Sequence, residues 1–380
     1  MTSFTHLLVG GGLHNGLTAL ALHRLDPSAR VALFERDAAP AGNHTWCLVG
    51  ADRHDPGMAL LAPLIEHRWP RYEVAFPDRS RVLESAYLGF TSAALVRELA
   101  SSFAARPQSA LLCGAEVVEV GPHHVALADG RRFEGELVID ARGPEALALD
   151  PASAGYQKFY GLEVELAAPH GIAHPLLMDA TVAQREGYRF IYVLPLGERR
   201  ALIEDTRFAT GAGFDVAAMR AELLLELRRR GWSVAREVRE EHGVLPMPWQ
   251  GEVAPVTGSP VRAGYAGGWL HPATGYSLPV ALRFALAVAD GPASGALARL
   301  DALRREVMKQ LPYMHRLNRL LFQCFEPEAM WNVFSRFYGK PEPLIERFYG
   351  LRTTPTDRTR ILLGRPPSGV KLARALALLR

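Results

Sequence analysis

The N-terminal stretch of this chain places a cluster of glycines between two apolar runs, an order that few folds accommodate. His6–Val9 is typical of a buried strand, Gly10–Gly12 follow it, and Leu13–Leu25 has the apolar periodicity of a helix. Asp26-Pro27 ends that helix, and Val31–Phe34 predicts a second strand. Glycines at such a turn let main-chain N–H groups approach a pyrophosphate at the N-terminus of a helix. The order predicts the βαβ start of a nucleotide-binding domain.

The glycine turn departs from the usual G-x-G-x-x-G spacing. Asn15 stands where the third glycine belongs, and Gly16 follows it. Taken alone, the turn is also compatible with an ordinary tight turn. Glu35 ends the second predicted strand about 25 residues after Gly10, near the position where an acid accepts hydrogen bonds from a ribose. The alternative for Glu35 is a surface acid beside its charged neighbours.

Two later segments resemble parts of FAD enzymes. Leu137–Gly143 is an apolar strand that ends in small residues, as in the late part of many FAD-binding domains. Gly264–Ser277 is rich in glycine, with Pro and Thr-Gly just before a predicted helix. A helix N-terminus at that place would stabilise negative charge on a flavin. The three segments together predict one bound FAD, and no second strand–glycine–helix unit indicates a separate NAD(P)H domain.

The composition excludes several classes of protein. Hydrophobic residues at 48% and charged residues at 22% of 380 are typical of a folded chain, and a net charge of +3 gives no reason to expect nucleic-acid binding. The three cysteines form no CxxC pair, so we predict neither disulfides nor a metal site. The chain shows no signal-peptide pattern and no apolar run of about 18 residues, so we expect a cytoplasmic protein.

The predicted fold is α/β: an FAD-binding Rossmann-like domain of the glutathione-reductase/hydroxylase type, a β-sheet substrate domain and a helical C-terminal region. Turn and periodicity patterns predict a hairpin over 72–83, a helix capped by Thr91-Ser92, and a helix over 217–230. Predicted strands include 116–120, 124–127, 131–133, 137–139, 161–167, 188–194 and 201–204. The predicted segments are 1–66, 89–150 and 255–292 for the FAD-binding domain, 67–88 (a hairpin) and 151–254 for the substrate domain, and 293–380 for the helical region.

Four motifs make a resemblance to one family specific. They are Gly42–Trp46, Ile203–Thr206, His271–Pro279 and Pro341–Tyr349, and they occur in the order seen in bacterial lycopene β-cyclases. The glycine turn with Asn15-Gly16 is similar to that family's variant as well. The resemblance extends from the N-terminus to the last helices.

The resemblance implies a redox-neutral isomerisation. Members of the family bind FAD, need it reduced, with NADPH as the expected ultimate reductant, and close the linear ψ-ends of lycopene into β-rings through γ-carotene to β-carotene. The implied partners are lycopene and other ψ-end carotenoids. Such a reaction needs an acid–base group in a dry pocket and negative charge near a carbocation.

Glu204 is the predicted acid. It follows the apolar run 201–203, which would deliver it from a buried strand, and a carboxyl group in apolar surroundings can hold a proton near neutrality. The alternative is an ion pair between Glu204 and Arg189 or Arg207. Asp205 is included in the candidate catalytic set but would point to the opposite face of the strand. His271 completes the set as a polar contact near the flavin or a cap of its loop.

The candidate cofactor-binding residues come from the three segments and from the resemblance. They are Gly10, Gly12, Asn15, Glu35, Val117, Asp140, Gly143, Gly267, Gly275, Tyr276 and Ser277. One departure stands out, because many FAD proteins carry Gly-Asp at the start of the third segment and 264–277 contains no Asp. Trp46 and Tyr276 are candidate aromatic walls for a polyene, with core packing as the alternative.

The C-terminal region has two interpretations. Its apolar residues either pack a helical subdomain or, with the basic end 371–380, lie on the inner face of the cell membrane. These residues are Met330, Trp331, Val333, Phe334, Phe337, Tyr338, Leu344, Ile345, Phe348 and Tyr349. Two other classes of function stay open at this point: a flavin-dependent oxidoreductase of the same fold, such as a hydroxylase or isoprenoid reductase, and a non-catalytic carotenoid carrier.

Overall fold

The computed structural model of the protein describes residues 4–50, 56–143, 153–364 and 366–379. Its helices are α1 (Leu13–Leu25), α2 (Pro56–Leu61), α3 (Ser92–Ala104), α4 (Val216–Arg229), α5 (Leu278–Ala289), α6 (Ala293–Met308), α7 (Leu311–Cys324), α8 (Trp331–Tyr338), α9 (Glu342–Tyr349), α10 (Pro355–Leu362) and α11 (Leu372–Leu379). Its strands are β1 (Phe4–Val9), β2 (Val31–Phe34), β3 (Thr45–Val49), β4 (His67–Trp69), β5 (Tyr72–Phe76), β6 (Arg79–Leu83), β7 (Tyr87–Thr91), β8 (Ala110–Leu112), β9 (Val117–Val120), β10 (His124–Leu127), β11 (Arg132–Asp140), β12 (Ala154–Leu166), β13 (Leu176–Asp179), β14 (Tyr188–Pro195), β15 (Arg200–Ala209), β16 (Val234–Pro248) and β17 (Val261–Arg262).

The first sheet contains the predicted βαβ start. Its strand order is β8-β2-β1-β11-β10-β9, with β17 paired to β11. β1 pairs in parallel with both β2 and β11, so the carboxyl ends of three strands meet at one edge. Helix α1 is buried along nearly its whole length and packs against α5, which brings the first and third glycine segments together. Ligands of open α/β sheets bind at such an edge.

Strand β11 differs from the sequence prediction. The predicted strands 131–133 and 137–139 are one nine-residue strand, Arg132–Asp140. Its first half pairs antiparallel with β10, and its second half pairs in parallel with β1. Gly135 marks the change, because a Cβ atom there would lie 2.7 Å from the Leu7 Cγ atom. The missing side chain lets one strand belong to both pairings without a break.

The second sheet has two covered faces. Its order is β16-β12-β15-β14-β13-β5-β6, and the predicted hairpin over 72–83 is confirmed as its edge pair β5–β6. On one face, Ala201 and Ile203 of β15 pack with Leu223 and other residues of α4. On the other face, Leu202 and Phe208 join a core that includes residues of the C-terminal helices. Alternation along β15 therefore decides which side chains face which layer.

The C-terminal helices close the second face. Of the ten apolar residues noted in this region, five are buried: Met330, Tyr338, Leu344, Ile345 and Phe348. The other five are partly buried against the core: Trp331, Val333, Phe334, Phe337 and Tyr349. The Phe334 ring stacks on Tyr188 of β14, with ring centroids 4.1 Å apart. Within the described ranges, no helix has the length and apolar character needed to cross a membrane.

Candidate active site

The glycine turn after β1 is tightly enclosed. Gly10 has φ +89°, and a Cβ atom there would lie 3.0 Å from the carbonyl oxygen of Ala141 at the end of β11. The N–H of Gly11 donates to Oε2 of Glu35 at 2.8 Å, so the acid at the end of β2 is fixed beside the turn. A side chain at position 10 would be strained for its backbone angle and would press on β11. The first and second predicted segments therefore meet here.

Asn15, at the position of the missing third glycine, connects helix α1 to strand β1. Its side-chain amide donates to the carbonyl oxygens of Val9 at 2.9 Å and Gly10 at 3.0 Å, which ties α1 to the end of β1. Its Oδ1 atom is buried without a partner among the described residues. The displaced glycine, Gly16, faces α3 instead, where a Cβ atom would meet Leu95 at 3.1 Å. With this irregular spacing, α1 is attached to β1 by the Asn15 amide and packs against α3 at Gly16.

Helices α1 and α5 both begin without a side-chain cap. Gly12, which precedes α1, has no side chain, and the Ser277 hydroxyl, which precedes α5, makes no cap hydrogen bond. A Cβ atom at Gly12 would meet nothing within 4 Å, so open space lies beside the first turn of α1. Uncapped N–H groups next to open space suit an anionic ligand such as a pyrophosphate.

The third segment lies against both sheets. A Cβ atom at Gly264 would lie 3.8 Å from the Ala141 carbonyl, and one at Gly275 would lie 2.9 Å from Leu245 of β16. Gly267 is buried in a short 3-10 turn at 265–267. The Tyr265 hydroxyl donates to the carbonyl of Gly275. This hydrogen bond joins the two ends of the loop.

The other predicted cofactor residues in or next to the first sheet are Asp140, Gly143 and Val117. Asp140 forms an ion pair with Arg142 at 2.7 Å, and Gly143 is the exposed last residue described before 153. Val117 lies on β9, the last strand of the sheet, three strands from β1. The segment before Val117 contacts the end of β2, because the Ala115 N–H donates to the Glu35 carbonyl. The assignment of these residues to a cofactor remains a prediction.

Glu204 lies in the middle of the second sheet, on the face that turns toward β3 and the third segment. Directly opposite it are Gly161 on β12 and Tyr192 on β14. The Thr206 hydroxyl donates to the Glu204 carboxylate. Burial, and then the charge of Glu241, raise the pKa of Glu204 to about 8, so the carboxyl is largely protonated at neutral pH.

Glu204 keeps part of its accessible surface beside Tyr192 and Cys47, and we call the space there the recess. The residue is only half-buried by accessible area, yet burial is the largest cause of its raised pKa. An exposed carboxylate on the outer surface would lose little solvation.

Three phenols and a thiol line the recess. The Tyr192 hydroxyl donates to Sγ of Cys47 at 3.3 Å and lies 3.0 Å from the Tyr87 hydroxyl. The Tyr276 hydroxyl donates to the Cys47 carbonyl. Burial raises the pKa of the Cys47 thiol to about 12 and the pKa values of Tyr87, Tyr192 and Tyr276 well above their usual range. All four groups are neutral at physiological pH.

Sequence reasoning identified only Tyr276 of this group. Cys47 directly follows the Gly42–Trp46 motif, and Tyr192 lies on a strand that was predicted, but nothing in either pattern indicates that they meet. Their contact depends on β3 of the third sheet, β3-β7-β4, lying across the second sheet. Trp46 packs against Phe90, with ring centroids 5.4 Å apart, and belongs to the core of the first sheet.

Asp205 faces the opposite side of the sheet, as its alternation with Glu204 predicts. Its carboxylate lies 2.7 Å from Arg189 and 3.1 Å from Arg207, and all three side chains are nearly inaccessible. Arg207 also reaches Glu222 of α4 at 2.9 Å. The arginines considered as partners for Glu204 therefore pair with Asp205, which leaves Glu204 on the recess side.

His271 is held by the main chain on both ring nitrogens. Nδ1 accepts from the Ala273 N–H at 3.1 Å, which assigns the proton to Nε2, and Nε2 donates to the Phe348 carbonyl at 2.9 Å. Burial lowers the pKa of His271 to about 4, so the ring is neutral. This geometry joins two of the sequence motifs, His271–Pro279 and Pro341–Tyr349, and corresponds to the loop-capping interpretation.

Arg239 of β16 connects the Gly42–Trp46 motif to the second sheet. Its guanidinium donates to Asn43 Oδ1 at 3.1 Å and to the Thr45 hydroxyl, and it binds Glu241 at 2.6 Å and Glu163 at 2.8 Å. The motif thus fixes β3 above the row of side chains that contains Glu204. Neither Arg239 nor Glu241 was singled out from the sequence, since charged pairs on a long strand are common.

The architecture is that of flavin-dependent hydroxylases and reductases. A crystal structure of PqsL, "a probable FAD-dependent monooxygenase" from Pseudomonas aeruginosa, matches 89% of this chain and 100% of its own with a TM-score of 0.62 at 18% identity. A geranylgeranyl bacteriochlorophyll reductase-like protein from Thermoplasma acidophilum matches all of both chains with a TM-score of 0.62 at 10% identity. These likenesses confirm the predicted fold class.

Sequence relatives narrow the class to one family. The lycopene cyclase family model matches residues 6–375, and the chain belongs to that family. It is 41% identical to the lycopene beta-cyclase of Pseudescherichia vulneris over 95% of this chain and 94% of the relative. It is 39% identical to the lycopene beta-cyclase of Pantoea ananas over 97% and 96% of the two chains.

Proposed function

We propose that this protein is a lycopene β-cyclase that closes the linear ψ-ends of lycopene into β-rings by acid–base chemistry, with FAD bound. The observation that carries the proposal is the environment of Glu204: burial and the charge of Glu241 raise its pKa to about 8, and the groups beside it are phenols and a thiol. Relatives named lycopene beta-cyclase at 41% and 39% identity supply the substrate. They also favour the cyclase over a flavin oxidoreductase or a carrier of the same fold.

In the proposed mechanism, Glu204 transfers its proton to the terminal double bond of a ψ-end. The resulting tertiary carbocation is attacked by the neighbouring double bond, which closes the six-membered ring and moves the positive charge into it. Loss of a ring proton then forms the β-ring, and the Glu204 carboxylate left by the first step is positioned to accept it. The proton count balances, and no oxidation is needed.

The recess residues protect the cation. The rings of Tyr87, Tyr192 and Tyr276 offer π-faces to a positive charge, and their hydroxyl oxygens are engaged with one another or with Cys47. With its pKa raised to about 12, the Cys47 thiol stays protonated and is a poor nucleophile toward the cation. Exclusion of water from the recess would also prevent capture of the cation as an alcohol.

The residues at the first-sheet edge fit FAD. Gly10–Gly12 and the N-terminus of α1 would hold the pyrophosphate, Glu35 the adenosine ribose, and the segment ending at Ser277 the flavin. The unpartnered Oδ1 of Asn15 and the open space at Gly12 support this fit. Reduced FAD, with NADPH as ultimate reductant, would supply negative charge near the carbocation when bound. Tyr276 belongs to both sites, because it follows Gly275 and reaches Cys47.

The function is tested by expressing the gene in cells that accumulate lycopene and analysing the pigments. We expect γ-carotene and β-carotene to replace lycopene. Unchanged lycopene in cells that contain folded, FAD-loaded protein would refute the cyclase proposal. Purified protein without stoichiometric flavin would instead contradict the cofactor assignment.

Gly12→Ala tests the cofactor cleft. Gly12 has φ −71°, which alanine adopts readily, and the added Cβ atom meets no protein atom within 4 Å. We expect the variant to fold normally but to bind FAD at least about tenfold more weakly, because the methyl group occupies space that the pyrophosphate needs. Flavin fluorescence after dialysis against graded FAD gives the affinity, and the melting temperature of flavin-free protein checks the fold. Unchanged affinity would place the pyrophosphate elsewhere.

Peripheral docking on the inner face of the cell membrane is the proposed route to a C40 hydrocarbon. With the C-terminal aromatics buried or partly buried against the core, the support comes from Leu362 and Leu363, whose side chains are 39% and 63% exposed beside Arg360. The basic end 371–379 follows, and Arg380 lies outside the described residues. Exposed leucines next to arginines suit an anionic bilayer. Flotation with anionic vesicles should recover the protein, and Leu363→Asp should reduce that fraction; no bound wild-type protein would contradict docking.

A further inference from the structure

A row of four positions crosses the second sheet at the level of Glu204. From β16 to β14 they are Glu241, Gly161, Glu204 and Tyr192, each directly opposite the next. Gly161 has no side chain to separate the two acids. A Cβ atom at Gly161 would lie 3.3 Å from Cγ of Glu241 and 3.6 Å from Cβ of Glu204. The two carboxylate side chains therefore flank one empty position on the same face.

The two acids have different partners. Glu241 receives a hydrogen bond from Arg239 at 2.6 Å, and its side chain is only 9% exposed. Burial raises the pKa of Glu241, whereas Arg239 and the main-chain N–H of Thr45 stabilise its charged form. Glu204 receives a hydrogen bond from the neutral Thr206 hydroxyl. Within the described ranges, no arginine or lysine is paired with Glu204.

The cations on this face are already matched. Arg239 binds Glu163 as well as Glu241, and Arg200 binds the other oxygen of Glu163 at 2.6 Å. Two arginines thus meet two carboxylates, and an ionised Glu204 would be a third negative charge next to Glu241. Two carboxylates at close range do not both ionise readily, and the one that lacks a cation keeps the proton.

We propose that Glu241, held ionised by Arg239 and the Thr45 main chain, is a positioning residue that keeps Glu204 in its proton-donating form across the gap at Gly161. Only the catalytic role of this proton rests on the function proposed above. The protonation state of Glu204 can be measured without substrate. The Gly42–Trp46 motif gains a role here, because Asn43 and Thr45 fix the Arg239 side chain that holds Glu241.

The other groups that face Glu204 do not substitute for Glu241. Tyr192 of β14, Cys47 of β3 and Tyr87 of β7 are neutral, because burial holds their pKa values above the physiological range. Tyr276 of the third segment is neutral for the same reason. Asp205 lies on the far face, where it pairs with two arginines, and its charge raises the pKa of Glu204 less than that of Glu241 does. Glu241 is therefore the charged neighbour through which the proton affinity of Glu204 can be changed.

The test is a pH titration of protonated carboxyl groups by infrared difference spectroscopy on purified, FAD-loaded protein without carotenoid. The band that Glu204→Gln removes is assigned to Glu204, and in the wild type we expect it to disappear near pH 8. In Glu241→Gln, which removes the neighbouring negative charge, we expect the midpoint to fall by roughly one to three pH units. Glu241→Asp keeps the charge and should keep the midpoint close to that of the wild type.

Glu240→Gln is the matched control. It removes the same charge from the next residue of β16, on the other face, where Glu240 accepts from the Tyr160 hydroxyl at 2.7 Å. An unchanged midpoint in Glu241→Gln, or an equal shift in Glu240→Gln, would overturn the proposal. If Glu241→Gln does not fold, the Glu204→Gln protein provides the test. A protonated-carboxyl band of Glu241 that persists in this variant at neutral pH would contradict an ionised Glu241. Because no carotenoid is used, failure of the cyclase proposal would leave this result intact.

Discussion

Glu204→Gln is expected to lower the rate of ring closure by roughly 10²–10⁴-fold while FAD remains bound. The amide fills the space of the carboxyl group and can keep the hydrogen bond from Thr206, but it has no acidic proton to transfer. The measurement is the conversion of lycopene to γ-carotene and β-carotene by purified enzyme under reducing conditions, with flavin content determined on the same sample. Turnover within a few-fold of the wild type would exclude Glu204 as the proton donor.

The same residue sets the direction of the pH dependence. Because the pKa of Glu204 is raised to about 8, the donor form is present below that value and is lost as the pH rises through it. Activity should therefore fall on the alkaline side, and this fall should be missing from the residual activity of Glu204→Gln. The raised pKa also has a consequence for stability: the native state loses stability as the pH rises from about 4.5 to about 8, because the unfolded chain releases this proton before the native state does. Glu240→Gln should leave both profiles unchanged.

Asp205→Asn is expected to destabilise the protein by about 3–5 kcal/mol, the range for breaking a buried ion pair from one side. The substitution leaves Arg189 and Arg207, which are 3% and 4% exposed, without the carboxylate that they share. Their positive charges cannot be neutralised by loss of a proton, since arginine stays charged. The remaining carboxylate partners are Glu222 of α4, which is 28% exposed, and Glu186, which is 65% exposed. Chemical denaturation, followed by flavin release and by far-UV circular dichroism, measures the loss.

Glu222→Gln is the control for Asp205→Asn. It removes a carboxylate from the same cluster, but from its more exposed edge, where an ion pair contributes about 1 kcal/mol or less. The two variants separate a structural role of Asp205 from the catalytic role suggested by its position beside Glu204. If Asp205→Asn is as stable as the wild type but inactive, the residue acts in the reaction and our structural interpretation is wrong.

Sequence patterns predicted many of the strands and helices. Apolar periodicity located α1, β1, β2 and the hairpin β5–β6, because strands and helices that bury a face must repeat with their own period. The halves of β11 were predicted as two strands, since a local pattern does not show that one strand continues into a second pairing through Gly135. The third segment was located correctly before α5, but its Tyr265 hydrogen bond depends on a carbonyl ten residues away.

For the candidate site too, the sequence predicted some features and the tertiary structure decided others. Alternation along one strand was enough to place Glu204 and Asp205 on opposite faces, and an apolar run was enough to predict that Glu204 is delivered from a buried strand. Which of the two acids meets the arginines was not decided by the strand, because both faces are covered and the arginines also alternate. Only the packing of α4 on one face and β3 on the other assigns the charges.

The sequence by itself determined the nucleotide-binding start, the family and the acid at position 204, because these depend on short motifs and on the period of one strand. The tertiary structure alone decided the proton affinity of that acid. Burial first, and then Glu241 across Gly161, raise the pKa of Glu204 to about 8, while Arg239 and Arg200 are engaged by other carboxylates. These contacts join β12, β15 and β16, and electrostatic energy depends on distance in space, which separation along the chain does not fix.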